Sequence, residues 1–168
     1  MQKEVKQSFS LENKDKLREI ERTIASVVIF SKDGKLLMGK KDPAKGGVYL
    51  NSWHIPGGGT EEGETLQQTA VREANQEVKG LNLTEENLVP IPFIGKGASP
   101  KVLDSGEKVW CKMEFHRFEV HLNKPAAELN VLPGDDLVEL HWFTKEELPS
   151  IDQAAGGKEF FQQAGYIQ

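Results

Sequence analysis

The chain has 168 residues, a formal net charge of −5, and hydrophobic and charged fractions of 38% and 28%. This composition suits one soluble globular domain, and the acidic balance argues against a general binder of nucleic acid polymers while leaving a small polyanionic substrate acceptable. Cys111 stands alone, which excludes an internal disulfide and disfavours a Cys-based zinc site; with no apolar leader and no membrane-length apolar run, a cytoplasmic protein is expected.

In chain order, residues 1–22 read as an N-terminal extension: a loose polar stretch, then a short helix placing Leu11, Leu17 and Ile20 among charges. A single domain is expected over 23–168. Thr23 to Phe30 is apolar and β-branched and predicts a buried strand. Lys32-Asp33-Gly34 signals a turn, and Lys35 to Lys41 a returning strand. Residues 42–52 carry Pro43, Gly46 and Gly47 and read as a loop. After a glycine-rich turn, Thr65 and Gln68 fit a capping box, and Leu66, Ala70, Ala74 and Val78 give the following helix one apolar face. Gly80 marks its stop.

Leu88 to Ile94 reads as a strand broken by Pro90 and Pro92, and 95–107 as a glycine-rich loop. Val109 to Leu122 is a long strand whose apolar phase shifts near His116 and Arg117, which predicts a bulge or a change of buried face. Val138 to Phe143 gives another strand, Lys145 to Leu148 a helix or turn, and Lys158 to Ala164 a last helix. The pattern alone gives mixed α/β with hairpins and one dominant helix.

Chemistry concentrates between Gly57 and Leu81. Glu73, Gln76 and Glu77 stand at i, i+3 and i+4 and share a helix face. Taken alone, they suit a solvated surface, since acidic pairs on exposed helices are common. A hard cation would relieve the repulsion between the two acids. The glycine-rich loop before them, with Glu64 and Arg72 at fixed offsets, favours that second reading.

At this point the sequence resembles the Nudix hydrolase family. Gly58 is followed after five residues by Glu64. Seven more residues lead to Arg72-Glu73, then Ala74, Asn75, Gln76 and Glu77. Trp53 and Pro56-Gly57-Gly58 precede the box, as is usual in the family. Two departures stand out: Gln76 replaces the first Glu of the Glu-Glu pair, and one extra residue precedes Gly80. The amide can ligate a metal but brings no charge, so another carboxylate is expected to compensate, from among Glu61, Glu62, Glu114, Asp135 and Asp136.

The resemblance implies an α/β/α sandwich with a mixed sheet between helices. It implies a Mg²⁺- or Mn²⁺-dependent hydrolase that cleaves the diphosphate linkage of a nucleoside diphosphate joined to another moiety. It makes Glu77 and Glu73 metal ligands, with Gln76 and the Gly57 carbonyl beside them. Arg72 would orient the acids and Glu64 would support the loop. Many members are dimers, so a homodimer is a possible partner state. Residues 109–116, read as one strand, put Trp110, Lys112, Glu114 and His116 on a polar face opposite Cys111, Met113 and Phe115. That face either lines the substrate cleft or is the solvent side of a sheet. His54 beside the glycines is open in the same way, between a substrate contact and a structural role.

Two other readings compete. A catalytically weakened nucleotide-binding or regulatory module is motivated by Gln76. A Nudix-type isomerase would need a reactive cysteine facing the substrate, whereas Cys111 is expected to face the core.

Overall fold

The computed structural model describes residues 16–45, 51–154 and 156–168. The expected loose stretch 1–10 and residues 46–50 of the 42–52 loop lie outside them. The strands are β1 (Arg18–Phe30), β2 (Leu36–Lys41), β3 (Trp53–His54) and β4 (Gly57–Gly59), followed by helix α1 (Leu66–Glu77). Then come β5 (Val78–Lys79), β6 (Val89–Pro90), β7 (Gly95–Val102), β8 (Lys108–His121), β9 (Leu132–Pro133), β10 (Leu137–Phe143) and helix α2 (Gly157–Gln163).

Eight strands form one mixed sheet on the path β10-β2-β1-β8-β6, with β3 on β2, β4 on β1 and β7 on β8. Its spine is the parallel pair β1–β8, in unbroken register from Arg18↔Val109 to Phe30↔His121. The short helix expected over 11–22 is therefore absent from its described part: 18–22 begins β1, and β1 crosses the expected domain boundary at 23. Polar Arg18-Glu19-Ile20-Glu21-Arg22 looks unlike a strand, but β8 supplies the ladder that holds it extended. The loop expected over 95–107 is also corrected, since 95–102 is β7, paired antiparallel with β8.

Alternation along β1 divides the core. Ala25, Val27 and Ile29 pack with Ala70, Ala74 and Val78, under α1. Val28 and Phe30 pack with Phe143, Leu148, Phe160 and Phe161, under α2. One helix thus covers each face of the sheet, which is the α/β/α sandwich. Each fully buried Val, Ile or Phe contributes about 1.5–3 kcal/mol, and Ala70 and Ala74 let α1 approach the sheet closely. The expected capping box is present: Gln68 N–H donates to Thr65 Oγ1 at 3.1 Å, and Thr65 N–H to Gln68 Oε1 at 2.9 Å.

The phase shift in β8 is a change of buried face, without a bulge against β1. Val109 and Cys111 are buried on one face, Phe118 and Val120 on the other. The extra residue before Gly80 also has a use. Glu77 ends the helix, and Val78 and Lys79 form β5, which pairs with Pro133 and Leu132 of β9. Gly134 N–H donates to the Glu77 carbonyl at 2.9 Å, which holds the turn before β10 against the end of α1.

Candidate active site

The loop between β4 and α1 is knitted by one guanidinium. Arg72 Nε donates to Glu64 Oε2 at 2.8 Å and Nη2 to Glu64 Oε1 at 3.0 Å, a bidentate pair. Nη2 also reaches the Gly59 carbonyl at 3.1 Å, and Nη1 donates to Glu73 Oε1 at 2.8 Å. Glu64 accepts further from Glu61 N–H and Thr69 Oγ1. Those hydrogen bonds, Arg72 first, hold the Glu64 carboxyl down to about 2, while Glu64 raises Arg72 in return. Arg72 thus ties Glu64, the Gly59 carbonyl and Glu73 into one hydrogen-bonded network.

Glu73 lies against Gly58, where a Cβ would stand 2.4 Å from the carboxyl carbon. No side chain fits at 58 while Glu73 keeps this place. Glu77 is 4% exposed and accepts from Gly57 N–H at 2.9 Å. Burial, with Asp136 and Glu73 nearby, pushes its carboxyl up to about 8 despite the Gly57 hydrogen bond. It is also the last residue of α1, where the helix dipole disfavours a negative charge. Gln76 is exposed, and its Oε1 lies 3.5 Å from Arg72 Nη1.

Of the proposed compensating acids, Asp135 and Asp136 line the same cleft as Glu73 and Glu77. Asp136 is 3.9 Å from Lys41 Nζ, and Asp135 has φ 52°, a left-handed backbone that tightens the turn. Glu61 instead stands 3.8 Å from Arg72, and Glu114 pairs with His116.

The cleft encloses about 590 Å³. Of the two readings open for the polar face of β8, its sheet floor favours the solvent side over the substrate contacts. Cys111, Met113, Phe115 and Arg117 line it, and Trp110, Lys112 and Glu114 do not. Lys112 pairs with Glu19 at 3.0 Å, and Glu114 with His116 at 2.6 Å. The apolar row faces the ligand space because half of this strand has cleft, not core, above it. Cys111 is on the cleft side but only 1% exposed. His54 lines the cleft, as do Met38, Trp53 and Phe160. Arg22 on β1 and Arg117 on β8, missed in the sequence, also line it; the odd-numbered alternation 111–117 was the available signal.

Carboxylates from α1 and from the turn before β10 line one cleft, yet among the described residues no three His, Cys, Asp or Glu side chains form a cluster able to hold a metal ion by themselves. The donor set still suits a hard cation. Glu77 is buried at a dipole-negative helix end beside two like-charged groups, and a cation would relieve all three penalties.

Residues 21–164 match the NUDIX domain family model. The RNA pyrophosphohydrolase of Wolbachia pipientis subsp. Culex pipiens is 35% identical over 141 residues, covering 76% of each chain. That of Hydrogenovibrio crunogenus is 39% identical over 57 residues, which are 34% of this chain and 31% of that protein. This match therefore spans about a third of that relative. In fold, the chain is similar to the MutT protein from Methanosarcina mazei Go1 (TM-score 0.62, 18% identity, 89% and 96% coverage). It is equally similar to the E. coli dihydroneopterin triphosphate pyrophosphohydrolase (TM-score 0.62, 19% identity, 84% and 92% coverage). With the loop–helix unit and sheet in place and the family model spanning 21–164, the chain belongs to the Nudix family.

Proposed function

We propose that the protein is a divalent-cation-dependent pyrophosphohydrolase acting on the diphosphate linkage of a nucleotide-type substrate. The observation that carries this reading is Glu77: a nearly buried carboxylate, braced by Gly57 N–H, beside Glu73 and Asp136 at the mouth of a cleft. Such a carboxylate is costly without a counter-charge. Nudix hydrolases generally use divalent metals, and the acids here suit Mg²⁺ or Mn²⁺.

Glu77 and Glu73 would hold the cation, with Gln76 and the Gly57 carbonyl beside them and Asp136 supplying the charge that Gln76 lacks. When bound, the cation supplies Lewis acidity and a template for water and phosphate. The chain's own part is orientation. Arg72 fixes Glu73, Gly58 leaves room for it, and the apolar part of the lining, Met38, Trp53, Met113 and Phe115, excludes water from the bound nucleotide. One of the cleft carboxylates takes the proton from the attacking water. The isomerase reading needs an accessible thiol, and Cys111 is 1% exposed. A cytoplasmic enzyme, as a monomer or a homodimer, fits this reading.

The test is product release from a panel of nucleoside diphosphate derivatives, nucleoside triphosphates and 5′-triphosphate RNA, with and without Mg²⁺ or Mn²⁺. The similarity to RNA pyrophosphohydrolases puts the RNA ends on the panel, against the sequence expectation of no polymer. Metal-dependent turnover that Glu77→Gln abolishes supports the hydrolase. Binding without turnover on every substrate replaces it with the nucleotide-binding module.

A further inference from the structure

Helix α2 contributes Gly157, Phe160 and Phe161 to the cleft lining and none of its acids. It has only 7 residues, too few for a helix to hold itself together in water. No side-chain hydrogen bond caps its N-terminus, and left-handed glycines flank it, Gly156 at φ 84° and Gly165 at φ 81°. Its place on the sheet is therefore set from outside the helix. Phe160 and Phe161 are buried with Val28, Phe30 and Leu148. Such burial keeps the helix on the sheet, but it is non-directional and fixes the angle of the helix poorly.

Two side chains of β8 supply direction. Positions 117 and 119 are two residues apart on one face of the strand. The Arg117 guanidinium is stacked on Phe160, 4.1 Å from the ring centroid. The Glu119 carboxylate accepts from the Tyr166 hydroxyl at 2.6 Å. Tyr166 is bound in turn to the end of the helix, since its N–H donates to the Phe161 carbonyl at 2.9 Å. A pull at the hydroxyl is thus transmitted to the turn of helix that carries Phe160. Glu119 is braced as well: His121 Nε2 lies 2.5 Å from Glu119 Oε1, and the His121 ring is stacked on Phe30 at 5.0 Å. Lys145 Nζ lies over the rings of Phe30 and Tyr166, at 5.2 and 5.9 Å, and adds positive charge beside the carboxylate. Glu119, His121, Lys145 and Tyr166 all stand outside the cleft lining.

We propose that Glu119 and Tyr166 are positioning residues: their hydrogen bond sets the angle of α2 on the sheet and so keeps Phe160 stacked over Arg117 as one wall of the cleft. The inference concerns the shape of the cleft; it goes beyond the pyrophosphohydrolase reading and does not need it. Because α2 brings no acid to the cleft, the bond governs how tightly a ligand is held and leaves the chemical step alone.

The experiment reads the wall directly, through the proton–nitrogen NMR peak of the Arg117 Nε–H, identified by its absence in Arg117→Lys. Stacking on Phe160 places this proton in the shielding region of the ring, so the peak lies upfield and Phe160→Leu moves it downfield. Tyr166→Phe keeps the ring and removes only the hydroxyl. It is expected to move the Arg117 peak towards its Phe160→Leu position. It should also speed amide exchange in residues 160–167 about tenfold, the scale of one hydrogen bond to a charged group, with the β1–β8 ladder unchanged. Glu119→Ala should do the same, whereas Glu119→Gln, which keeps an acceptor for the hydroxyl, should stay closer to wild type. On any substrate that the wild-type protein turns over, Tyr166→Phe should raise KM about threefold or more and leave kcat within about twofold. An Arg117 peak that stays in place in both Tyr166→Phe and Glu119→Ala overturns the inference, since apolar burial then sets the helix by itself. So does an unmoved peak with faster exchange throughout the sheet, which marks a general contribution to stability, and so does a fall in kcat with KM unchanged. The spectra need neither metal nor substrate, so they decide the inference even if the protein hydrolyses nothing.

Discussion

The two ends of helix α1 carry carboxylates in opposite circumstances. At the N-terminal end, Glu64 meets Arg72, Thr69 and a backbone N–H, and its carboxyl is held down to about 2. At the C-terminal end, Glu77 meets one backbone N–H and two other acids, and its carboxyl is pushed up to about 8. The first end is complete within the chain and stabilises the fold. The second leaves a buried carboxylate with, among the described residues, no cation of the chain in contact with it, which fits the proposed metal site. Thirteen positions thus separate a carboxylate satisfied within the chain from one that burial and like charge penalise.

The largest break in this contrast is expected from Glu77→Gln. The amide still accepts from Gly57 N–H but loses the charge, so turnover should fall by on the order of 10³-fold, read as kcat, while the metal-free melting temperature holds or rises. Arg72→Lys comes next. Lysine cannot serve Glu64 bidentately while also reaching Glu73 and Gly59, so kcat should drop roughly 10- to 100-fold. A metal-free urea titration should show a lower midpoint as well.

The pH dependence sharpens the comparison, because the two acids have opposite signs. Glu64 has a folded pKa below its unfolded value near 4.5, so its contribution is present above that pH and is lost as pH falls towards about 2. Glu77 has a folded pKa above its unfolded value, so the metal-free fold loses stability as pH rises from about 4.5 to about 8. Urea midpoints across pH should show Glu64→Gln flattening the acid limb and Glu77→Gln flattening the neutral limb. If each variant left its own limb unchanged, the contrast would be wrong. The smallest effect is expected from Thr65→Ala, which removes the cap at the structural end. It should cost about 1 kcal/mol in urea unfolding and leave pH dependence at the other end alone.

Legibility in the sequence followed locality. The loop and α1 could be read because their contacts span few residues: Thr65 to Gln68, Glu64 to Arg72, Ala70 to Ala74. What depended on distant partners was misread. In β7, Gly95 and Gly97 suggest a loop, yet a Cβ at Gly95 would stand 2.7 Å from Arg117 Nη1, and one at Gly97 3.2 Å from Phe115 Cε2. The glycines leave room for cleft side chains leaning across from β8. Pro100 can be accommodated because β7 pairs with β8 alone. The facing of β8, open in the sequence, has a similar cause. Apolar alternation marks the face that avoids water, and in this strand a ligand cleft avoids water as the core does. The start of β1 was hidden because its charged residues gain their order from β8, some ninety positions away.

The β5–β9 ribbon ties the helix acids to the turn acids, through Val78↔Pro133 and the Gly134 N–H on the Glu77 carbonyl. A side chain that disturbs either strand of this ribbon is therefore expected to displace Glu77 and the 135–136 turn together.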